Sequence, residues 1–147
     1  MQVCGFLGGP RFDEVKDGVF QKSSRINSTW GGNLVDMVRA QKYLEIIEDE
    51  KLVDNAAKQG ETLVKGLVTI QDKYASITNA RGRGLFAAVD FASGEARDKA
   101  WMAGVEAGMM SLKCGPRSIR FRPALNVSAA DITRGLEILD SVVKKVV

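Results

Sequence analysis

Asn27-Ser28-Thr29-Trp30-Gly31-Gly32-Asn33 places hydroxyl side chains beside paired glycines, directly ahead of a segment with helical periodicity. A bound phosphate monoester needs several donors held together, and Ser and Thr O–H groups supply them along with backbone N–H groups that glycine leaves approachable. The helix N-terminus just beyond favours an anion. Ordinary turns and helix caps use the same residue types, so both readings stand on composition alone. Far downstream, Arg120 and Arg122 lie two apart in a predicted strand, which sets their side chains on one face. Paired guanidinium forks suit a carboxylate; a solvated strand face with surface ion pairs is the other reading. Arg81-Gly82-Arg83-Gly84 occurs once and lacks interleaved aromatics, so it reads as a glycine-permitted bend entering a strand rather than an RNA-binding element. Gly5-Phe6-Leu7-Gly8-Gly9 lacks the Gly-Lys-Ser/Thr ending of a nucleotide phosphate loop.

What is missing narrows the chemistry further. With no histidine in the chain, imidazole is unavailable as base, nucleophile's partner or metal ligand, which argues against serine and cysteine hydrolase triads. Cys4 and Cys114 form no CxxC pair, and widely separated cysteines of this kind fit reduced thiols and no metal site. The 21 basic and 18 acidic residues are interspersed, so the small positive charge does not point to nucleic acid. At 147 residues, 45% hydrophobic and 27% charged, the chain suits a soluble globular domain with a sizeable core. It has no apolar run of membrane-spanning length, and its start, broken by glycines and without a basic region, does not resemble a signal peptide. The expectation is a cytoplasmic protein without membrane or nucleic-acid partners.

The elements that must position these residues follow from periodicity. Residues 1–32 lack it and read as loops with short strands or a helical turn near Asp13 to Val19. Asn33 is placed to cap a long amphipathic helix carrying Leu34, Met37, Val38, Leu44 and Ile47, followed by a second helix or kinked continuation through Leu52, Ala56, Leu63, Leu67 and Ile70. Tyr74 to Ala80 reads as a turn, and alternation at Leu85, Ala87, Val89 and Phe91 as a strand. Ser93 opens a helix that stops at Gly108. Met109 to Leu112 and Ser118 to Arg122 read as strands around Cys114-Gly115-Pro116, and Ser128 caps a final helix carrying Ile132, Leu136, Leu139 and Val143. The predicted class is α+β: a long helix followed by a small, mostly antiparallel sheet with helices on one face.

In their order and spacing, Asn27 to Asn33, Arg81 to Gly84 and Ile119-Arg120-Phe121-Arg122-Pro123 resemble the C-terminal part of a class III, fold type I aminotransferase dependent on pyridoxal 5'-phosphate. The likeness runs from Met1 to about Val147. It is greatest to the L-lysine 6-aminotransferase subfamily, then to 4-aminobutyrate aminotransferases. The resemblance implies that Thr29 reaches the cofactor phosphate of a neighbouring subunit, with Ser28 beside it as a second cofactor residue and Asn27 at the substrate. It implies that Arg120 takes a substrate carboxylate or pairs with a gating glutamate. Residues 1–75 would be a remnant of the large cofactor-binding domain plus a long interdomain helix, and residues 76–147 the small C-terminal domain. The implied reaction moves the ε-amino group of L-lysine to 2-oxoglutarate, in a homo-oligomer that is a dimer in the family. The Schiff-base lysine of the family lies upstream of the segment similar to Gln2-Val3-Cys4-Gly5. No residue here is therefore assigned a catalytic role, and the isolated chain is expected to be inactive and without cofactor. The rival reading is a non-catalytic module that binds a carboxylate or another protein.

Overall fold

A computed structural model describes residues 8–22, 25–26 and 28–146, which fall into two compact units, Met1–Asp49 and Glu50–Val147. Among the described residues of the first unit, the only regular structure before the long helix is a 3-10 turn at Pro10–Phe12, where Pro10 presets the backbone angle of a first helical position. The helical turn expected near Asp13 to Val19 is replaced by successive turns. Phe12 and Phe20 meet edge to face at 5.8 Å. Helix α1 (Leu34–Asp49) follows, and the Asn33 side chain accepts the Val35 N–H at 2.9 Å. The cap is as expected, but the apolar stripe behind it is not buried: no residue of α1 reaches the interior.

Near the start of the second unit, Lys51 takes a left-handed backbone (φ 50°) immediately before α2 (Leu52–Lys73). Leu63, Leu67 and Ile70 recur at helical spacing and form the buried stripe of α2. Four strands follow, interrupted by one helix: β1 (Ile77–Arg83), β2 (Phe86–Phe91), α3 (Gly94–Glu106), β3 (Leu112–Cys114), β4 (Ser118–Phe121) and α4 (Ala129–Val146). Every pairing is antiparallel and the strand order is β1-β2-β4-β3. Ala87, Val89, Phe91 and Ile119 point toward the helices and join Leu67, Leu139 and Val143 in the core. The alternate residues Phe86, Ala88 and Arg120 lie on the opposite face. The expected α+β class and antiparallel sheet are thus observed.

Strand β1 corrects the sequence reading, which made residues 74–80 a turn and Arg81-Gly82-Arg83-Gly84 the entry to the first strand. Those arginines instead end β1, and the bend to β2 comes at Gly84, whose φ is +53°. Asn79, Ala80 and Gly82 give β1 little intrinsic strand preference, and the register slips at a bulge between Thr78 and Arg81, with Asn79 left-handed at φ 54°. Such a strand shows no period-2 signal; pairing with β2 sets it. Strand β3 also begins later than expected, at Leu112.

The helix ends follow cap chemistry. Ser93 Oγ accepts the Ala96 N–H at 3.1 Å, and Ser128 Oγ accepts the Asp131 N–H at 3.1 Å while donating to the Asp131 carboxylate at 2.6 Å. Gly108 leaves α3 with φ +84°. Helix α2 lies so close to the β1–β2 bend that a side chain at Gly60 would collide with the backbone of Gly84.

Candidate anion-binding sites

Two groups of residues present donors without internal partners, one in each unit. In the first, the Gly31 N–H donates to the Ser28 carbonyl at 3.0 Å and the Trp30 N–H to Ser28 Oγ at 3.3 Å, which fixes a turn immediately before the α1 cap. Ser28 and Thr29 are exposed. The Thr29 hydroxyl makes no hydrogen bond among the described residues, and Ser28 keeps its O–H proton available while its oxygen accepts. Gly32, at φ +77° with open space around its Cα, lets the chain enter α1. The turn thus offers hydroxyl donors beside the positive end of a long helix, a donor set that fits a phosphate group. Asn27 lies outside the described residues.

The second group is built on the sheet. Register aligns Arg81 with Ala88, Ala88 with Arg120, and Arg120 with Leu112 across the four strands. Arg81, Arg83 and Arg120, with Phe86, Ala88 and Cys114, line a cleft of about 370 Å³. Arg120 Nε is buried without a hydrogen-bond partner, an uncommon condition for a guanidinium nitrogen. Arg122 does not join it: beyond the end of β4, it lines a separate cavity with Pro123 and Asp131. The expected two-arginine pair on one strand face is therefore not formed, and Arg120 acquires its companions from β1. Sequence reasoning missed Arg81 and Arg83 as site residues because their neighbourhood with Arg120 depends on long-range strand pairing.

Two polar clusters hold this face in place. The Asp90 carboxylate accepts from Ser118 Oγ at 2.6 Å, Arg81 at 2.8 Å and Asn79 at 2.9 Å, tying β1, β2 and β4 together. Burial pushes the Asp90 carboxyl up, but the hydrogen bonds from Ser118, Asn79 and Arg81 and the Arg81 charge outweigh it and hold the group at about 2. From α3, the largely buried Arg97 guanidinium donates to the carbonyls of Ser118 at 3.2 Å, Gly115 and Pro116 at 3.4 Å, and Cys114 at 3.5 Å. It clamps the β3–β4 loop that carries Cys114. The Trp101 ring N–H donates to the Ser111 carbonyl at 3.0 Å, so this tryptophan packs with its polar edge satisfied. Among the described residues no group of His, Cys, Asp or Glu side chains could hold a metal, and no helix is long and apolar enough to cross a membrane.

An antiparallel sheet backed by helices is a fold that this chain shares with a solved aminotransferase structure. Residues 13–143 match the family model of class III aminotransferases, and the chain belongs to that family. It is 48% identical over 141 residues to an L-lysine-epsilon aminotransferase of Amycolatopsis lactamdurans, covering 94% of this chain and 31% of the relative. It is 46% identical over 147 residues to an enzyme of the same name from Streptomyces clavuligerus, covering 99% and 32%. A lysine aminotransferase from M. tuberculosis superposes with a TM-score of 0.87 at 38% identity, covering 96% of this chain and 33% of that one. The chain spans about a third of the length of the curated relatives it matches.

Proposed function

We propose that these 147 residues are the part of a pyridoxal-phosphate-dependent aminotransferase that contributes a cofactor-phosphate turn and a carboxylate-binding arginine. In this reading the complete enzyme transfers the ε-amino group of L-lysine to 2-oxoglutarate. The observation that carries the proposal is the near-complete alignment of the chain, at 46–48% identity, with proteins named L-lysine-epsilon aminotransferase. When bound, the cofactor supplies an electron sink for the substrate carbon that loses a proton. Thr29 and Ser28 hold its phosphate through their hydroxyls, assisted by the N-terminal field of α1, with Asn27 beside the substrate. Arg120 binds a carboxylate, which supplies the acceptor that its buried Nε lacks. The family's small C-terminal domain corresponds to residues 76–147, with the preceding residues belonging to the large domain and an interdomain helix.

These residues alone carry no transamination. A cofactor-binding lysine needs a desolvated amine that loses its proton readily, and every lysine in the chain is exposed. Several form ion pairs, among them Lys42 with Glu45, Lys65 with Glu61 and Lys99 with Glu95. The chain is expected to work within a homo-oligomer. The test is the initial rate of glutamate formation from 2-oxoglutarate by the complete enzyme with L-lysine, L-ornithine or 4-aminobutyrate as donor. L-Lysine should give the highest kcat/KM; preference for another donor overturns the subfamily assignment, and no turnover with any donor overturns the activity.

A further inference from the structure

On the helix side of the sheet, a cavity of about 210 Å³ opens between α2, α4 and the end of β4. Its walls are apolar: Leu63 and Leu67 from α2, Met109, Phe121, and Ile132 and Leu136 from α4. Phe121 follows Arg120 along β4, so the cavity lies on the opposite face of the sheet from the arginine cleft. Helix α4 borders it with Gly135, where an added Cβ would meet no atom within 4 Å. Open space beside the buried Leu63, Leu67 and Ile132 forfeits packing contacts that an apolar occupant restores. Met110 stands at the same cavity 95% exposed, and its flexible thioether can fold over such an occupant.

Two charged groups complete the lining, Arg122 and Asp131. The Arg122 guanidinium makes no hydrogen bond or ion pair among the described residues. The Asp131 carboxylate accepts the Ser128 hydroxyl on Oδ2 at 2.6 Å, and its Oδ1 accepts no hydrogen bond among the described residues. The two do not pair with each other, so one cation and one anion are both left to a ligand. An α-amino acid carries the complementary pair, a carboxylate for the Arg122 fork and an ammonium for Asp131, with its side chain free to enter the apolar space. An apolar cavity of roughly 150 Å³ holds a benzene ring, and at that ratio this one takes roughly eight or nine non-hydrogen atoms, the size of leucine. We propose that the cavity is a binding site for an α-amino acid with an aliphatic side chain of leucine size, held by Arg122 and Asp131. L-Lysine has the same backbone charges, but the apolar walls reject its cationic end. The site is therefore separate from the proposed transamination and does not depend on it.

The 147-residue chain made with 13C-methyl methionine tests this by nuclear magnetic resonance, because Met109 and Met110 line the cavity and Met102 does not. Met109→Leu and Met110→Leu assign the two signals. L-Leucine at low ionic strength should shift both saturably while Met102 stays fixed, and L-lysine should shift neither. 4-Methylpentanoate lacks the ammonium and 3-methylbutylamine lacks the carboxylate; each should bind about tenfold or more weakly than L-leucine. L-Alanine should bind roughly fiftyfold more weakly, for the carbons it leaves unburied. Arg122→Gln should weaken L-leucine and the acid but spare the amine, and Asp131→Asn should weaken L-leucine and the amine but spare the acid. Gly135→Leu, which fills the space, should abolish binding, with circular dichroism confirming that each variant is folded. Met109 and Met110 signals that stay fixed as L-leucine is added overturn the site. Equal affinity for L-leucine and 4-methylpentanoate, or unchanged L-leucine binding by Arg122→Gln, overturns recognition of the amino-acid charges. Either failure leaves the aminotransferase reading to the separate comparison of donor rates.

Discussion

Replacing Asp90 with asparagine removes the one charge that ties three strands of the sheet together. The carboxyl sits at about 2 in the folded chain against an ordinary 3.8. At about 1.4 kcal/mol for each pH unit, that difference favours the folded state by roughly 2 kcal/mol at neutral pH. Solvent around Arg81, whose side chain is 44% exposed, trims the Coulombic share and sets the expectation for Asp90→Asn at about 1–2 kcal/mol. The sign follows from a depressed pKa. The contribution is complete above the unfolded value and is lost as pH falls through the folded one, to about half by pH 3 and under about a quarter at pH 2. Urea unfolding of both proteins at a series of pH values measures the gap directly, because other carboxyl groups contribute equally to each and cancel. The reasoning predicts a gap that is largest at pH 5–7 and closes toward pH 2. A gap that stays constant over that range would refute it, showing that Asp90 acts by packing rather than by charge.

Other expectations rest on packing, caps and surface. Gly60→Ala should destabilise by about 1–3 kcal/mol in urea unfolding, because its new methyl meets the rigid backbone of Gly84. Gly66→Ala should fall within about 1 kcal/mol of neutral: its obstruction is the flexible Leu136 side chain, offset by the better helix propensity of alanine. A Gly66 variant as costly as the Gly60 one would contradict that distinction. Ser128→Ala should cost about 1 kcal/mol by the same measurement, through loss of the α4 cap seen in the Asp131 N–H to Ser128 Oγ bond; an unchanged midpoint would count against the cap. Leu34, Val35, Val38 and Leu44 of α1 are all exposed, and apolar surface of that extent promotes association. Sedimentation should therefore show an oligomer, and a monodisperse monomer would contradict this.

Much of the architecture was legible in local chemistry. Asn33, Ser93 and Ser128 mark helix starts by residue type alone, and Leu63, Leu67 and Ile70 announce the buried stripe of α2 by spacing. The family was likewise legible in three short motifs, and its membership is borne out by the match over residues 13–143. Strand β1 was not legible, because a bulged strand containing Asn79 and Gly82 has neither alternation nor strand propensity, and its partner lies beyond a turn that only Gly84 signals. The cleft was hidden for a related reason: Arg81 and Arg83 become neighbours of Arg120 only after β2 is laid between them. The same limitation favoured pairing Arg120 with Arg122, since spacing in sequence cannot show that β4 ends at Phe121. The apolar period of α1 was read correctly as helical, but periodicity identifies a face without identifying what covers it.

The proposed reading makes these residues one part of a longer catalytic chain, and the genomic DNA upstream of the Met1 codon, in the same frame, tests this most directly. The account predicts an open frame encoding a lysine immediately before Met1 and a large cofactor-binding domain before that. A stop codon followed by a ribosome-binding site would contradict it and favour a free-standing carboxylate-binding module.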